Sequence, residues 1–284
     1  MKYGAHIFLW IEKWDSAQIK LMEQAKVLGL DAFEIATGDD VDFNPQLIRN
    51  KAEELSMDLF ISPGGIWPME VDISLPDTSM ASKALDWHCK WIAAGAEAGA
   101  KAYTGALYGH PGRIIKASPD KDEYKRICEN LNKMAAFAAQ HNVKIVLEPM
   151  SHFRTHIANT AGQLLQLIEG TNHENLFVLM DTYHMATEVR DYAAAIHLLK
   201  DKLYCIHACE NDRGVPGGGI IPWNSIGTAL NEIGFDGYMV LESYNSTIRN
   251  GEFAYERGMF HNVCPDGDEF VRKGVGFLKS ILIK

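Results

Sequence analysis

Phe177-Val178-Leu179-Met180-Asp181 is a short apolar run that ends on a carboxylate. The same figure recurs three more times in the second half of the chain. Lys144-Ile145-Val146-Leu147 leads into Glu148, Tyr204-Cys205-Ile206 into His207, and Tyr238-Met239-Val240-Leu241 into Glu242. If the four segments are neighbouring parallel strands, their last side chains converge on one rim. Three oxygen ligands and one imidazole would then surround a divalent cation, an arrangement that points to an enzyme.

Outward from these segments, strand-like and helix-like stretches alternate along the whole chain. Tyr3 to Leu9 reads as a first strand, and Ser16 to Leu28 as a helix stopped by Gly29. Ala32 to Ile35 is a second strand and Pro45 to Leu55 a helix with proline in its first turn. Leu59 to Ile61 is a third strand closing on Ser62-Pro63-Gly64-Gly65, followed by a long helix from Ser79 to Ala98 that ends at Gly99. Ala102 to Thr104 is the fourth strand, with a helix from Lys121 to Gln140. The fifth ends at Glu148 and the sixth at Asp181, with a helix from Thr160 to Ile168 between them, before Gly170. Tyr192 to Leu199 is helical, the seventh strand ends at His207, and Trp223 to Ile233 is a helix stopped by Gly234. The eighth strand ends at Glu242, and Asp266 to Leu282 makes the last helix. Eight such units without a composition break imply a parallel sheet. In 284 residues they fit a single (β/α)₈ barrel domain spanning 1–284. An open doubly wound sheet would carry a glycine-rich phosphate turn after its first strand; Leu9-Trp10-Ile11-Glu12 is nothing like one.

Composition narrows the class. The formal net charge is -10, and no Lys/Arg cluster offers a nucleic-acid face. No apolar run reaches the roughly 20 residues of a membrane helix. Five scattered cysteines, Cys89, Cys128, Cys205, Cys209 and Cys264, read as reduced thiols. Met1-Lys2-Tyr3-Gly4 carries no leader-cleavage pattern. The expectation is a cytoplasmic protein with neither nucleic-acid nor membrane partners.

Barrel active sites lie at the C-terminal face of the strands, where Glu148, Asp181, His207 and Glu242 stand. Carboxylates with one imidazole suit Mn²⁺, Co²⁺ or Mg²⁺, whereas zinc favours more nitrogen or sulfur. In the loop after Asp181, Thr182-Tyr183-His184-Met185 offers His184 as a donor. After His207, Glu210-Asn211-Asp212-Arg213 offers Arg213, and Gly217-Gly218-Gly219 is a weak phosphate-loop signal.

The order Glu, Asp-Thr-Tyr-His-Met, His with Glu-Asn-Asp-Arg and Pro-Gly-Gly-Gly, then Leu-Glu-Ser-Tyr resembles the ketose 3-epimerases, the D-tagatose and D-allulose (D-psicose) 3-epimerases of the xylose-isomerase-like barrel superfamily. The likeness runs from Gly4-Ala5-His6 and the Trp10/Trp14 region to the tail at Arg257 to Asn262. It implies that Glu148, Asp181, His207 and Glu242 hold one divalent metal, Mn²⁺ first, and that Glu148 and Glu242 are the catalytic acid and base. Proton removal beside a ketone gives an enediolate stabilised by the metal, and two carboxylates on opposite sides return the proton to the other face. The resemblance further implies that His184 and Arg213 hold substrate oxygens and that Trp14 and Tyr244 stack on sugar faces, with His6, Trp67 and Tyr108 as further wall candidates. It also implies a homodimer or homotetramer acting on a small keto-sugar.

One stretch departs from that pattern. The family's Glu-x-x-Asn-Arg-x-Glu becomes Glu148-Pro149-Met150-Ser151-His152-Phe153-Arg154, which puts a donor-only arginine in place of an acceptor-only acid. Arg154 is therefore expected to face the pocket and to favour a substrate with a carboxylate, a phosphate or a differently placed hydroxyl. Sugar or inosose isomerases, and lyases acting on 3-keto-sugar glycosides, use the same site logic and remain alternatives. A DNA-repair endonuclease on this barrel would need a basic face and more zinc ligands. A non-catalytic sugar-binding subunit would have no need of both glutamates.

Overall fold

The computed structural model describes residues 1–64 and 67–282, so Gly65 of the expected third turn lies outside the described residues. Eight parallel strands close into a barrel in chain order: β1 (Lys2–His6), β2 (Ala32–Ala36), β3 (Asp58–Ser62), β4 (Ala100–Gly105), β5 (Lys144–Leu147), β6 (Leu176–Asp181), β7 (Leu203–Ala208) and β8 (Tyr238–Leu241). The expected (β/α)₈ architecture is the one found. Around it run α1 (Lys20–Val27), α2 (Pro45–Leu55), α3 (Thr78–Glu97), α4 (Lys121–Gln140), α5 (Ala161–Thr171), α6 (Thr182–Glu188), α7 (Tyr192–Leu199), α8 (Trp223–Glu232), α9 (Glu252–Tyr255) and α10 (Gly267–Leu282). No helix among the described residues is long and apolar enough to cross a membrane.

Several boundaries differ from the sequence reading, each for a local reason. The first strand stops at His6, whose Nδ1 accepts the Phe8 N–H at 3.2 Å and turns Ile7–Leu9 into a 3₁₀ turn. The first helix opens with a 3₁₀ turn over Ser16–Gln18, capped by Asp15, before α1 begins at Lys20. Gly170 does not end its helix. α5 continues to Thr171 and stops at Asn172 in the left-handed conformation, φ 51°. A Cβ at Gly170 would sit 2.8 Å from Tyr124 Oη and 3.0 Å from Cys128 Sγ, so glycine there permits close packing on α4. Thr182 to Met185, expected in a loop, opens α6. Asp181 closes β6 and caps α6 at once, its Oδ1 accepting the Tyr183 N–H at 2.8 Å.

The barrel interior is stacked in layers. Phe60, Ala102, Val146, Leu179, Cys205 and Val240, one from each of β3 to β8, form a buried apolar cluster. Each side chain of this size stabilises the barrel by about 1.5–3 kcal/mol when removed from water, less for the small ones. Paired Gly4 and Ala32 complete the ring on β1 and β2, and a Cβ on Gly4 would already meet Ala32 Cβ at 3.0 Å. Side chains two apart on a strand share a face. The layer above this plug is therefore His6, Glu34, Ser62, Thr104, Glu148, Asp181, His207 and Glu242. All eight are polar and all are buried.

Candidate active site

The polar layer is the floor of a cavity whose lining includes His6, Glu34, Ser62, Thr104, Glu148, His207 and Glu242. Asp181 and His207 face each other in register across β6 and β7. His207 lies between two acids: Nε2 is 2.9 Å from Glu34 Oε2, and Nδ1 is 3.1 Å from Glu242 Oε2. Glu34 is itself held by the Thr104 hydroxyl, which donates to Oε1 at 2.6 Å. This chain fixes the imidazole so that Nδ1 faces the cavity.

Arg213 supplies the positive charge. It comes from the loop after β7, with φ at +67°, a conformation that non-glycine residues adopt rarely. A turn holds it there: the Arg213 N–H donates to the Glu210 carbonyl, the Glu210 N–H to the Gly214 carbonyl, and Ser243 Oγ to the Arg213 carbonyl. Its Nη1 reaches Asp181 Oδ2 at 2.6 Å and Glu242 Oε2 at 2.7 Å. The neighbouring glycines wrap the buried Glu210 carboxylate, which accepts the Gly217 N–H, the Ile221 N–H and the Trp223 indole N–H. That loop serves to shape the turn around Arg213, which accounts for its glycines without a phosphate.

His184, on α6, points its Nε2 at Glu148 Oε1 and Asp181 Oδ2, each 3.9 Å away, and the Ser151 N–H points at its Nδ1. Burial and the nearby Arg213 hold its pKa well below the ordinary histidine value, so it is neutral. Burial, reinforced by Asp181, lifts Glu148 well above the usual carboxylate range. Burial acts on Glu242 in the same sense, but Arg213 and His207 outweigh it and hold that carboxyl well below the range. Burial would lower His207, yet Glu34 and Glu242 raise it. Without a bound cation the two buried acids are thus driven apart, one toward the protonated and one toward the ionised form.

Two overlapping groups of side chains have the spacing of metal ligands: Glu148, Asp181 and His184, and Asp181, His207 and Glu242. Asp181 belongs to both. Asp181 Oδ2 and His207 Nδ1 are buried, and neither has a partner in hydrogen-bonding geometry, although Arg213 and Glu242 are close. Such orphaned ligand atoms, aimed at one place beside two further carboxylates, fit a divalent cation. The imidazole must be neutral to bind one, so binding would release a proton.

The structure brings Glu148, Asp181, His207, Glu242, His184 and Arg213 together, and Arg154, Tyr244, His6 and Trp67 line the same cavity. It does not bring Trp14 there. That indole is 1% exposed, packs against Phe33 in the core, and is absent from the cavity wall, where Phe8, Trp67 and Tyr244 are among the aromatic side chains. Tyr108 lies behind the wall, its hydroxyl tying the Glu148 and Ala158 carbonyls at 2.9 and 3.0 Å. Sequence reasoning missed Glu34, Ser62, Thr104 and Arg257 as cavity residues. A carboxylate in the middle of Ala32-Phe33-Glu34-Ile35 was the available signal for the first of them.

Residues 22–279 match the model of the xylose isomerase-like TIM barrel, and the chain belongs to that family. Within it, the chain is 28% identical to the L-ribulose 3-epimerase of Mesorhizobium japonicum, covering 98% of this chain and 93% of that protein. It is 27% identical to the D-psicose 3-epimerase of Agrobacterium fabrum over 87% of this chain and 86% of the relative. The solved D-allulose 3-epimerase of Methylomonas sp. in complex with D-allulose superposes with a TM-score of 0.90 at 25% identity, covering 99% of this chain and 96% of that one.

Proposed function

We propose that this protein is a carbohydrate epimerase that inverts the carbon beside the ketone of a keto-sugar. The observation that carries the reading is the pair of buried carboxylates, Glu148 beyond β5 and Glu242 beyond β8. They face one cavity from strands that flank the Asp181–His207 pair. Relatives named as 3-epimerases along nearly the full chain support the same reaction class.

Asp181, His207, Glu242 and Glu148 would hold the cation, and Mn²⁺ suits this oxygen-rich set, with Co²⁺ or Mg²⁺ as substitutes. When bound, it supplies Lewis-acid stabilisation of the negative charge that develops on the sugar's oxygens. One glutamate takes the proton from the carbon next to the ketone, and the other returns a proton to the opposite face. Which acts first depends on the direction of reaction. Arg213 and His184 orient the sugar's oxygens over this pair. Phe8, Trp67 and Tyr244 cover apolar sugar faces and keep water from the exchanging hydrogen. We extend the reading to a homodimer or homotetramer, which light scattering would measure.

The experiment is proton NMR in D₂O with a panel of ketoses, before and after chelation. The expected result is deuterium at a single carbon with inversion there, lost with chelator and restored by Mn²⁺. Elimination of a substituent would indicate a lyase, and transfer of the carbonyl an isomerase; either would overturn the epimerase reading.

A further inference from the structure

Arg154 stands on the loop after β5, and that loop is fixed. The Arg154 N–H donates to the Ser151 carbonyl at 2.8 Å, and its own carbonyl accepts the Gly112 N–H at 2.7 Å. Two residues on, His156 Nδ1 accepts the Ile115 N–H, and its Nε2 lies 3.3 Å from both carboxylate oxygens of Glu123. The side chain of Arg154 lines the same cavity as Glu148 and Arg213.

What distinguishes Arg154 from the other arginines of the cavity is the lack of an acidic partner. Arg213 is neutralised by Asp181 and Glu242, and His207 by Glu34 and Glu242. Arg257, also in the wall, donates to the Phe253 carbonyl at 3.0 Å, lies over the Phe253 ring and sits 3.9 Å from Glu256. The Arg154 guanidinium has no ion pair among the described residues; its Nε is buried without a hydrogen-bond acceptor, as are those of Arg213 and Arg257, but it alone of the three has no carboxylate to offset its charge. A buried donor left unpaired is costly, and native structures seldom keep one without a ligand to satisfy it. A guanidinium presents parallel N–H groups that match a carboxylate or a phosphate, whereas a single hydroxyl leaves its charge uncompensated.

We propose that the keto-sugar turned over here carries an anionic oxygen group away from its ketone, a carboxylate or a phosphate ester, and that Arg154 selects it. This rests on the keto-sugar reading of the site. On this reading the keto end lies at Glu148 and Glu242 and the charged group meets Arg154 on the loop after β5.

The test compares kcat/KM, read by carbon-bound hydrogen exchange in D₂O, for a neutral ketose, the same ketose phosphorylated at its terminal carbon, and the acid with a terminal carboxylate. Wild type is expected to prefer one anionic form by about 10- to 100-fold, the worth of one charge-assisted contact, and the preferred arm says which anion is meant. Arg154→Gln lowers the anionic-to-neutral ratio by a similar factor. Arg154→Lys, which keeps the charge and loses the fork, restores part of it. A wild-type enzyme that handles the neutral ketose as well as both anions overturns the proposal and leaves the epimerase reading standing, as does a ratio unchanged in Arg154→Gln. Absence of exchange with every sugar in the set overturns both.

Discussion

Replacing Arg213 with methionine removes a buried cation from between two buried anions while keeping much of its length. In the folded protein Arg213 is 2% exposed, and its Nη1 touches Asp181 at 2.6 Å and Glu242 at 2.7 Å. At an effective dielectric near 20, each contact attracts by about 6 kcal/mol before desolvation is counted. Burying the guanidinium cancels several kcal/mol of that gain. The loss on deletion is larger than the pair's net worth, because Asp181 and Glu242 are left near each other with His207 beside Glu242 as the remaining offset. The expected destabilisation of Arg213→Met is about 3–5 kcal/mol. At about 2–4 °C of melting temperature per kcal/mol, that is a drop of roughly 6–20 °C. The assay is thermal or urea unfolding in chelator, repeated with excess Mn²⁺. The ion should stabilise the variant more than the wild type, since it substitutes for the lost charge and binds only the folded form. A loss below about 1 kcal/mol in chelator, or equal stabilisation of both proteins by the ion, would refute the view that Arg213 neutralises this pair.

Three further outcomes are expected. Glu148→Gln and Glu242→Gln each slow hydrogen exchange by about 10²- to 10⁴-fold, read by NMR, because an amide neither takes nor returns the proton. Glu34→Gln weakens divalent-ion affinity by about 10- to 100-fold in calorimetric titration, since it loosens the partner that orients His207. His88 is fully buried against Tyr103, and burial pushes its pKa down to about 3. The unfolded chain, titrating near 6.5, therefore binds the proton first as pH falls. The contribution of His88 is fully present above about pH 6.5 and is lost toward pH 3, by at most about 5 kcal/mol. Urea midpoints measured from pH 8 to 4 should fall, and His88→Gln should flatten the curve; an equally steep curve in the variant would rule His88 out as its source.

The second half of the barrel was more legible than the first, and for a physical reason. Lys144–Leu147 and Tyr238–Leu241 are compact apolar runs that break on a charged residue, so strand and site announce themselves together. Pro45–Leu55, Lys121–Gln140 and Tyr192–Leu199 are bounded by caps or proline and coincide with the observed helices. Glu34, Ser62 and Thr104 were not found, because β2 is buried on both faces and β3 and β4 nearly so, which leaves no alternation to tell inside from outside. The plug supplies that phase only once the closed ring is seen. Trp14 misled because an aromatic near a strand end looks alike whether it borders the mouth or the core. The helix from Thr182 to Glu188 was hidden because its cap, Asp181, was already assigned as a ligand.

The plug and the polar ring are separated by two residues of strand, a rise of roughly 5–7 Å along a tilted barrel stave. That short interval sets the polar ring directly on a solid apolar base, so the cavity ends at the ring. On the proposed reading, a sugar must be slender enough at one end to reach Glu148 and Glu242 at the bottom of the well while its other end stays among the loops. The loops at the rim can therefore change one at a time without disturbing the polar ring, whose side chains are carried by the strands and their ends.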